Sequence, residues 1–375
     1  MFRIVTLSVL LCPLLALAAP RTENVILVTL DGVRVEELFS GMDVAIAAST
    51  TEDDYSDIEV SRERYWRKSA EERRLALMPF FWGTLAPLGV VLGNAEHGSR
   101  VKVRNTIKWS SPGYIEIMTG VPQPDVVDNT LQRYPYRTIA EYIVSELNLE
   151  KPQVAQFGSW DGFKLTASSR DDAFVMNGAY EALPPNLSTP DMDTLVDLRK
   201  DIQGLWEESS NDVLTFRLAQ AYLVRHKPRF LWLGLSQSDD WAHAARYDRL
   251  LDYLHLADRL LSELWATLQA DDAYRDKTTL IITTDHGRGR APDDWMEHDE
   301  TIPGSEDIWV AVIGPDTPAT GEAHRSPTIY QGDVAPTIAR LLQLDPQDFN
   351  PEAGPPIAAV WGDADSGDTA ADSRQ

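Results

Sequence analysis

Cysteine is almost absent. The chain of 375 residues contains one, Cys12. It lies in the N-terminal apolar stretch behind Leu11 rather than a small residue, which leaves no basis for disulfides or for reading a lipid anchor and excludes cysteine chemistry. Long hydrophobic runs are also missing. The lone Arg3, the apolar stretch from Ile4 to Leu15 and the small residues of Ala16-Leu17-Ala18 follow the three-part plan of a secretory signal peptide. Pro20 disfavours a cut after Ala19, so residues 1–18 are predicted to be removed. The run is too short for a membrane span, so the mature protein is expected to be soluble and exported, periplasmic or secreted. Positive charge is scarce: 34 Lys and Arg face 58 Asp and Glu, a formal net charge of -24. That balance opposes binding to a nucleic acid duplex or an anionic membrane, which need clustered cations. A solvated acidic surface explains most of it.

What is present is a set of β-rich apolar runs that each lead to a carboxylate. Asn24 to Leu30 precedes Asp31, Arg229 to Leu235 precedes Asp239, and Thr278 to Thr284 precedes Asp285. They read as buried parallel strands. Helical patterns over Thr138 to Leu147, Asp212 to His226 and Arg246 to Leu268 alternate with them, as a doubly wound sheet requires. A further strand is expected over Asp307 to Gly314 and a closing helix over Asp333 to Leu342. The fold class is therefore α/β, a mostly parallel sheet flanked by helices, with one main domain over residues 19–345. Insertions near 49–105 and at 183–200 are expected as possible substrate caps, and 346–375 as a flexible tail, since its end from Gly362 is rich in Ala, Asp, Ser and Gly. Such sheets bind ligands at the carboxyl ends of their strands. The three acidic residues should then converge on one edge.

Each piece has an ordinary reading beside a chemical one. Asp31-Gly32 could be a simple turn after a strand. Asp285-His286-Gly287 offers a carboxylate and an imidazole side by side, and His298, in a loop farther on, could fold back to join them or remain a solvated histidine. Asp239 and His243 are spaced i, i+4 at a helix start, one face and about one turn apart; Asp240 competes for the same role, and a capping aspartate followed by a surface histidine is the alternative. In Lys108-Trp109-Ser110-Ser111-Pro112-Gly113-Tyr114, a serine cap with Pro112 at the first helical position is predicted. A hydroxyl there also feels the positive end of the helix dipole. His97, His226, His255 and His324 lie in polar loops or helical stretches and receive no role.

The order of these pieces resembles the alkaline phosphatase superfamily, most closely its type I phosphodiesterase and nucleotide pyrophosphatase branch. Ser110 stands two positions before Pro112 and ten before the glycine of Thr119-Gly120, the place of that branch's nucleophile. Asn129 resembles the asparagine that contacts a phosphoryl oxygen there. The resemblance implies two divalent metal ions, zinc or manganese, in a phosphoric ester hydrolase acting on a small-molecule phosphate ester. It implies Asp31, Asp285, His286 and Ser110 on one ion, Asp239, His243 and His298 on the other, and a phosphoseryl intermediate. Lys108 could assist, but an ordinary surface lysine is the favoured reading.

Three alternatives stand beside it. A sulfatase shares the fold, but its signature needs Arg where this chain has Tyr114. A phosphomutase has a similar short gap from Asp285-His286-Gly287 to His298, and an export signal opposes it. A non-catalytic metal-binding protein of the same fold would not need the hydroxyl of Ser110.

Overall fold

A computed structural model describes residues 21–50 and 56–362 of the chain. The expected signal peptide, Cys12 and residues 363–375 lie outside the described residues.

Strand β1, Asn24–Leu30, has the near-continuous apolar run of a strand buried on both faces: all but Asn24 and Thr29 are apolar, and every residue is buried. Ile26, Val28 and Leu30 point into one core, Val25 and Leu27 into a second on the opposite face. Eight strands share this sheet, and in chain order with those of a small side sheet they are β1, β2 Val90–Leu92, β3 Val101–Lys102, β4 Val154–Gly158, β5 Val175–Asn177 and β6 Phe230–Leu235. Then follow β7 Thr278–Thr283, β8 Asp307–Ile308, β9 Val310–Ile313, β10 Gly321–Glu322 and β11 Ile329–Tyr330. The main sheet runs β10-β2-β9-β7-β1-β6-β4-β5, and β11-β3-β8 form the side sheet. Pairings β7 with β1, β1 with β6, β6 with β4 and β4 with β5 are parallel, whereas β9 is antiparallel to both its neighbours.

Helices cover both faces. Asp212–His226, started by the Asn211 side chain, and the amphipathic Tyr247–Ala270 close one core. Ser110–Thr119, Ile139–Glu146 and Val334–Leu341 close the other. The helix Ile139–Glu146 begins in a capping box between Thr138 and Glu141, which satisfies two end groups and sets its boundary.

The expected elements appear with small changes of bounds, and the differences have local causes. The strand expected over Asp307 to Gly314 is divided: Asp307–Ile308 joins the side sheet and Val310–Ile313 the main one, with buried Trp309 between them. Residues 56–105, within the expected insertion, are part of the domain itself. They supply β2 to the main sheet, and Ile58, Tyr65, Leu77 and Phe81 enter its core. Residues 183–200, expected to be loop-rich, hold most of the helix Pro190–Asp201, which the prolines flank and start rather than prevent. The tail expected from residue 346 is packed as far as 362, because Phe349, Ile357 and Val360 are apolar and enter the second core.

Candidate active site

The register of the sheet sets the site. Leu30 pairs with Leu235 and Thr29 with Thr283, so β1, β6 and β7 end side by side and release their chains on the same edge. Asp31 leaves β1, Asp285 follows β7, and Asp239 sits on the short helix Gln237–His243 after β6. The expected convergence is present. Gly32 N–H donates to Asp285 Oδ1 at 3.1 Å, tying the first strand end to the third.

Ser110 is the first residue of its helix, not the cap; Trp109 holds the cap position and offers no side-chain bond, and Pro112 comes third. Its Oγ lies 3.5 Å from His286 Nε2. Gly113 explains how the helix reaches that depth. A Cβ added there would stand 2.5 Å from the Asp285 carbonyl oxygen, so only glycine allows this approach.

His286 donates Nδ1–H to the Gly287 carbonyl at 3.0 Å, and His298 donates Nδ1–H to the Lys108 carbonyl at 2.8 Å. A carbonyl only accepts, so both rings turn the lone pair of Nε2 toward the carboxylates. His286 Nε2 lies 3.3 Å from Asp285, 3.5 Å from Asp31 and 3.8 Å from Asp239. His243 Nε2 lies 3.1 Å from His298 Nε2 and 3.4 Å from Asp239. Two imidazole nitrogens at that separation need a proton or a cation between them. With 31% of its side chain exposed, His243 marks the open side of the site, whereas His286 and Asp285 have none exposed.

Burial dominates the electrostatics. It holds the Asp31 carboxyl well above its usual range, helped by the adjacent Asp285, and pushes Asp285 itself up to about 7. Burial also lowers His243 and His286, and it puts His298 well below the ordinary histidine value with help from His286. Asp31 Oδ1 and Asp285 Oδ2 are buried without a hydrogen-bond partner, whereas the buried Asp239 Oδ1 faces the Arg288 guanidinium. Buried carboxylate oxygens are costly unless a cation or donor meets them. Within this cluster, Asp31 with Asp285 and His286, and Asp239 with His286 and His298, each bring their ligand atoms within 4.8 Å of one another. Carboxylate oxygen mixed with imidazole nitrogen is a fitting donor set for zinc or a similar divalent ion.

Two contacts had no counterpart in the sequence reading. Tyr114 donates its hydroxyl to Asp31 Oδ2 at 2.8 Å; its place one helical turn after Ser110 was the available signal. Arg288, fully buried, forms an ion pair with Asp239 and donates to the Met296 carbonyl. The pair with Asp239 is one of charge rather than of directed hydrogen bonding, since neither facing atom has a bonded partner. Burial brings the guanidinium down to about 9. Lys108 serves through its carbonyl, while its ammonium group donates to the Glu300 carbonyl.

Above Ser110 opens a pocket of about 220 Å³, with Asp31, Asn129, Asp239 and His243 in its wall. Asn129 Oδ1 accepts the Ser111 N–H at 2.8 Å, which fixes the amide beside the serine. Asp240 also lines this pocket, and burial together with Asp212 raises its carboxyl well above the usual range. None of the lining residues belongs to 49–105 or 183–200. The rim comes instead from the next loop, through Trp206, Glu208 and Ser209.

A mostly parallel sheet gathers carboxylates and imidazoles at its strand ends beside a serine at a helix start, in a fold shared with solved members of the alkaline phosphatase superfamily. Within it, the chain belongs to the type I phosphodiesterase / nucleotide pyrophosphatase family, whose model matches residues 53–323. Asp31 lies before that span, and the fold carries it into the cluster all the same. No single curated sequence matches the chain. Solved structures do. A variant of the alkaline phosphatase PafA is 11% identical with a TM-score of 0.56, covering 92% of this chain and 100% of that one. The phosphonate monoester hydrolase of Agrobacterium radiobacter is 14% identical with a TM-score of 0.55, covering 92% of this chain and 78% of that one. The lipoteichoic acid synthase LtaP from Listeria monocytogenes is 13% identical with a TM-score of 0.55, over 87% and 73%. At these identities the likeness is one of fold.

Proposed function

We propose that this protein hydrolyses phosphate esters, diesters or monoesters, with Ser110 as nucleophile beside two divalent metal ions. The observation that carries the reading is the position of Ser110: its hydroxyl reaches His286 Nε2 at 3.5 Å where the two carboxylate and imidazole groups meet. Asp31, Asp285, His286 and Ser110 would hold one ion, and Asp239, His243 and His298 the other. When bound, such ions lower the pKa of a coordinated hydroxyl and neutralise charge on phosphoryl oxygens.

The protein's own residues have the remaining tasks. The helix start at Ser110 places the nucleophile at the positive end of the Ser110–Thr119 dipole, where an alkoxide is favoured. Ser110 Oγ bonds to phosphorus as the bond to the leaving alcohol breaks, and water later releases the phosphate from the serine. Asn129, held by the Ser111 N–H, presents its amide to a non-bridging oxygen. Tyr114 and Arg288 keep Asp31 and Asp239 in place. The N-terminal leader would send the enzyme out of the cytoplasm, which cell fractionation checks directly.

The test is hydrolysis of an aryl phosphate diester, the matching monoester and an aryl sulfate by zinc-loaded and manganese-loaded protein. Turnover of a phosphate ester that chelation abolishes supports the reading; turnover of the sulfate alone, or of none, rejects it.

A further inference from the structure

The ligands assigned to the second ion lack the support that those of the first have. Asp31 and Asp285 leave neighbouring strands and are tied by the Gly32 N–H. His298 instead comes from the long connection between β7 and β8, and Asp239 and His243 from a helix of 7 residues. Several contacts that fix these segments converge on Arg34, three positions after Asp31 and 1% exposed. Its Nη1 donates to the Gly289 carbonyl at 2.8 Å, and the Gly289 N–H donates to the Glu297 carbonyl at 3.0 Å, next to His298. Its Nε donates to Glu37 Oε2 at 2.7 Å, and Nη2 to Glu37 Oε1. Glu37 Oε1 also accepts the Tyr247 hydroxyl at 3.0 Å, from the first residue of the helix that follows His243. The Tyr247 ring meets that of Trp295, on the His298 loop, edge to face with centroids 5.2 Å apart. One guanidinium thus links the strand end of Asp31, the helix after His243 and the loop of His298.

A buried ion pair adds little net stability, because desolvation of both charges offsets their attraction; its best attested use is to fix one arrangement among several. The planar fork of an arginine fixes direction as well as distance. We propose that Arg34 is a positioning residue, which holds the His298 loop and the helix after His243 against the Asp31 strand end and so keeps Asp239, His243 and His298 assembled as one metal site. The proposal rests on the two-ion reading for what those three ligands hold, not for the tie itself.

Arg34→Met combined with Glu37→Gln tests it on the full chain. This pair of substitutions removes both buried charges together and leaves Tyr247 an acceptor, so the protein should fold as the native one does. In chelated protein, amide hydrogen exchange at residues 289–298 should quicken by at least about tenfold, with residues 25–32 and 279–286 unchanged. Calorimetric titration with zinc should show one of two binding steps weakened about 10- to 100-fold, the step that His298→Ala removes, and the other unchanged. Arg34→Lys, which keeps the charge without the fork, should show a smaller change of the same kind. Unchanged exchange at residues 289–298, exchange quickened equally throughout the domain, or equal weakening of both zinc steps would each overturn the proposal. Quickened exchange confined to residues 289–298 in a protein that binds a single zinc ion would overturn the two-ion reading and leave the tie through Arg34 standing.

Discussion

The ring of His298 lies flat on that of His286, centroids 3.7 Å apart and planes within 11°. Two imidazolium cations would not stack in this way inside a buried cluster, and burial lowers the pKa of both rings. The pair is therefore a source of two neutral nitrogens aimed at carboxylates, the condition in which histidine binds a metal.

Metal binding should follow Asp285. In the metal-free protein its carboxyl, pushed up to about 7 by burial, keeps a proton that the unfolded chain releases near 3.8. The folded state then binds more protons than the unfolded one between those values, so the metal-free protein loses stability as pH rises from about 4 to about 7. A divalent ion displaces that proton, so zinc affinity should climb through the same window and flatten above it. Thermal melts with chelator and with zinc, at several pH values, measure both: the gain from zinc should be larger at pH 8 than at pH 5. At a zinc concentration about a hundred times the dissociation constant, the gain should be about 2.7 kcal/mol.

Tyr114→Phe removes one hydrogen bond and little volume. Stability should fall by only about 1 kcal/mol. Affinity for metal and kcat/KM should fall further, by about 10- to 100-fold, because Asp31 loses the donor that orients it. Equilibrium dialysis of zinc, beside a denaturant melt, separates the two effects.

Arg288→Met tests the charge beside Asp239. The guanidinium is buried and bound also to the Met296 carbonyl, so its loss leaves Asp239 misplaced and that carbonyl without its donor. Activity should drop by about 10- to 100-fold. Arg288→Lys, which keeps charge but not the planar fork, should recover part of it. Steady-state kinetics of the three proteins on one ester gives the answer.

Gly113→Ala should be damaging out of proportion to its size. The new methyl group would press on the Asp285 backbone, and relief requires moving either the Ser110 helix or the Asp285 strand end. A cost of about 1–3 kcal/mol is expected with a clear loss of turnover. A melt and an activity assay on the same preparation decide it.

The sequence made the architecture legible where a single strand or helix carried its own signal. Asn24–Leu30 reads as buried on both faces because both faces are largely apolar, and Asp212–His226 shows its helical pattern. That Asp31, Asp285 and His286 would come together could be read because each sits at a strand end, and the pairing of Asp239 with His243 because helical spacing is local. Ser110 and Asn129 needed the family resemblance, since a serine at a helix start is common. What escaped depends on distance in the chain. The contacts of Tyr114 with Asp31 and of Arg288 with Asp239 join elements far apart in the chain, and only the place of Tyr114 one turn after Ser110 hinted at either. The reversal of β9 and the packing of Phe349, Ile357 and Val360 are likewise fixed by partners far along the chain.

The nucleophile is the point on which the functional account turns. Acid-quenched turnover of an aryl phosphate ester, followed by peptide mass mapping, measures it directly with Ser110→Ala run in parallel. The account predicts phosphate on Ser110 in the native protein, none in the variant, and a variant rate lower by orders of magnitude with its zinc content largely kept. Full activity of Ser110→Ala, or phosphate trapped on another residue, would contradict it.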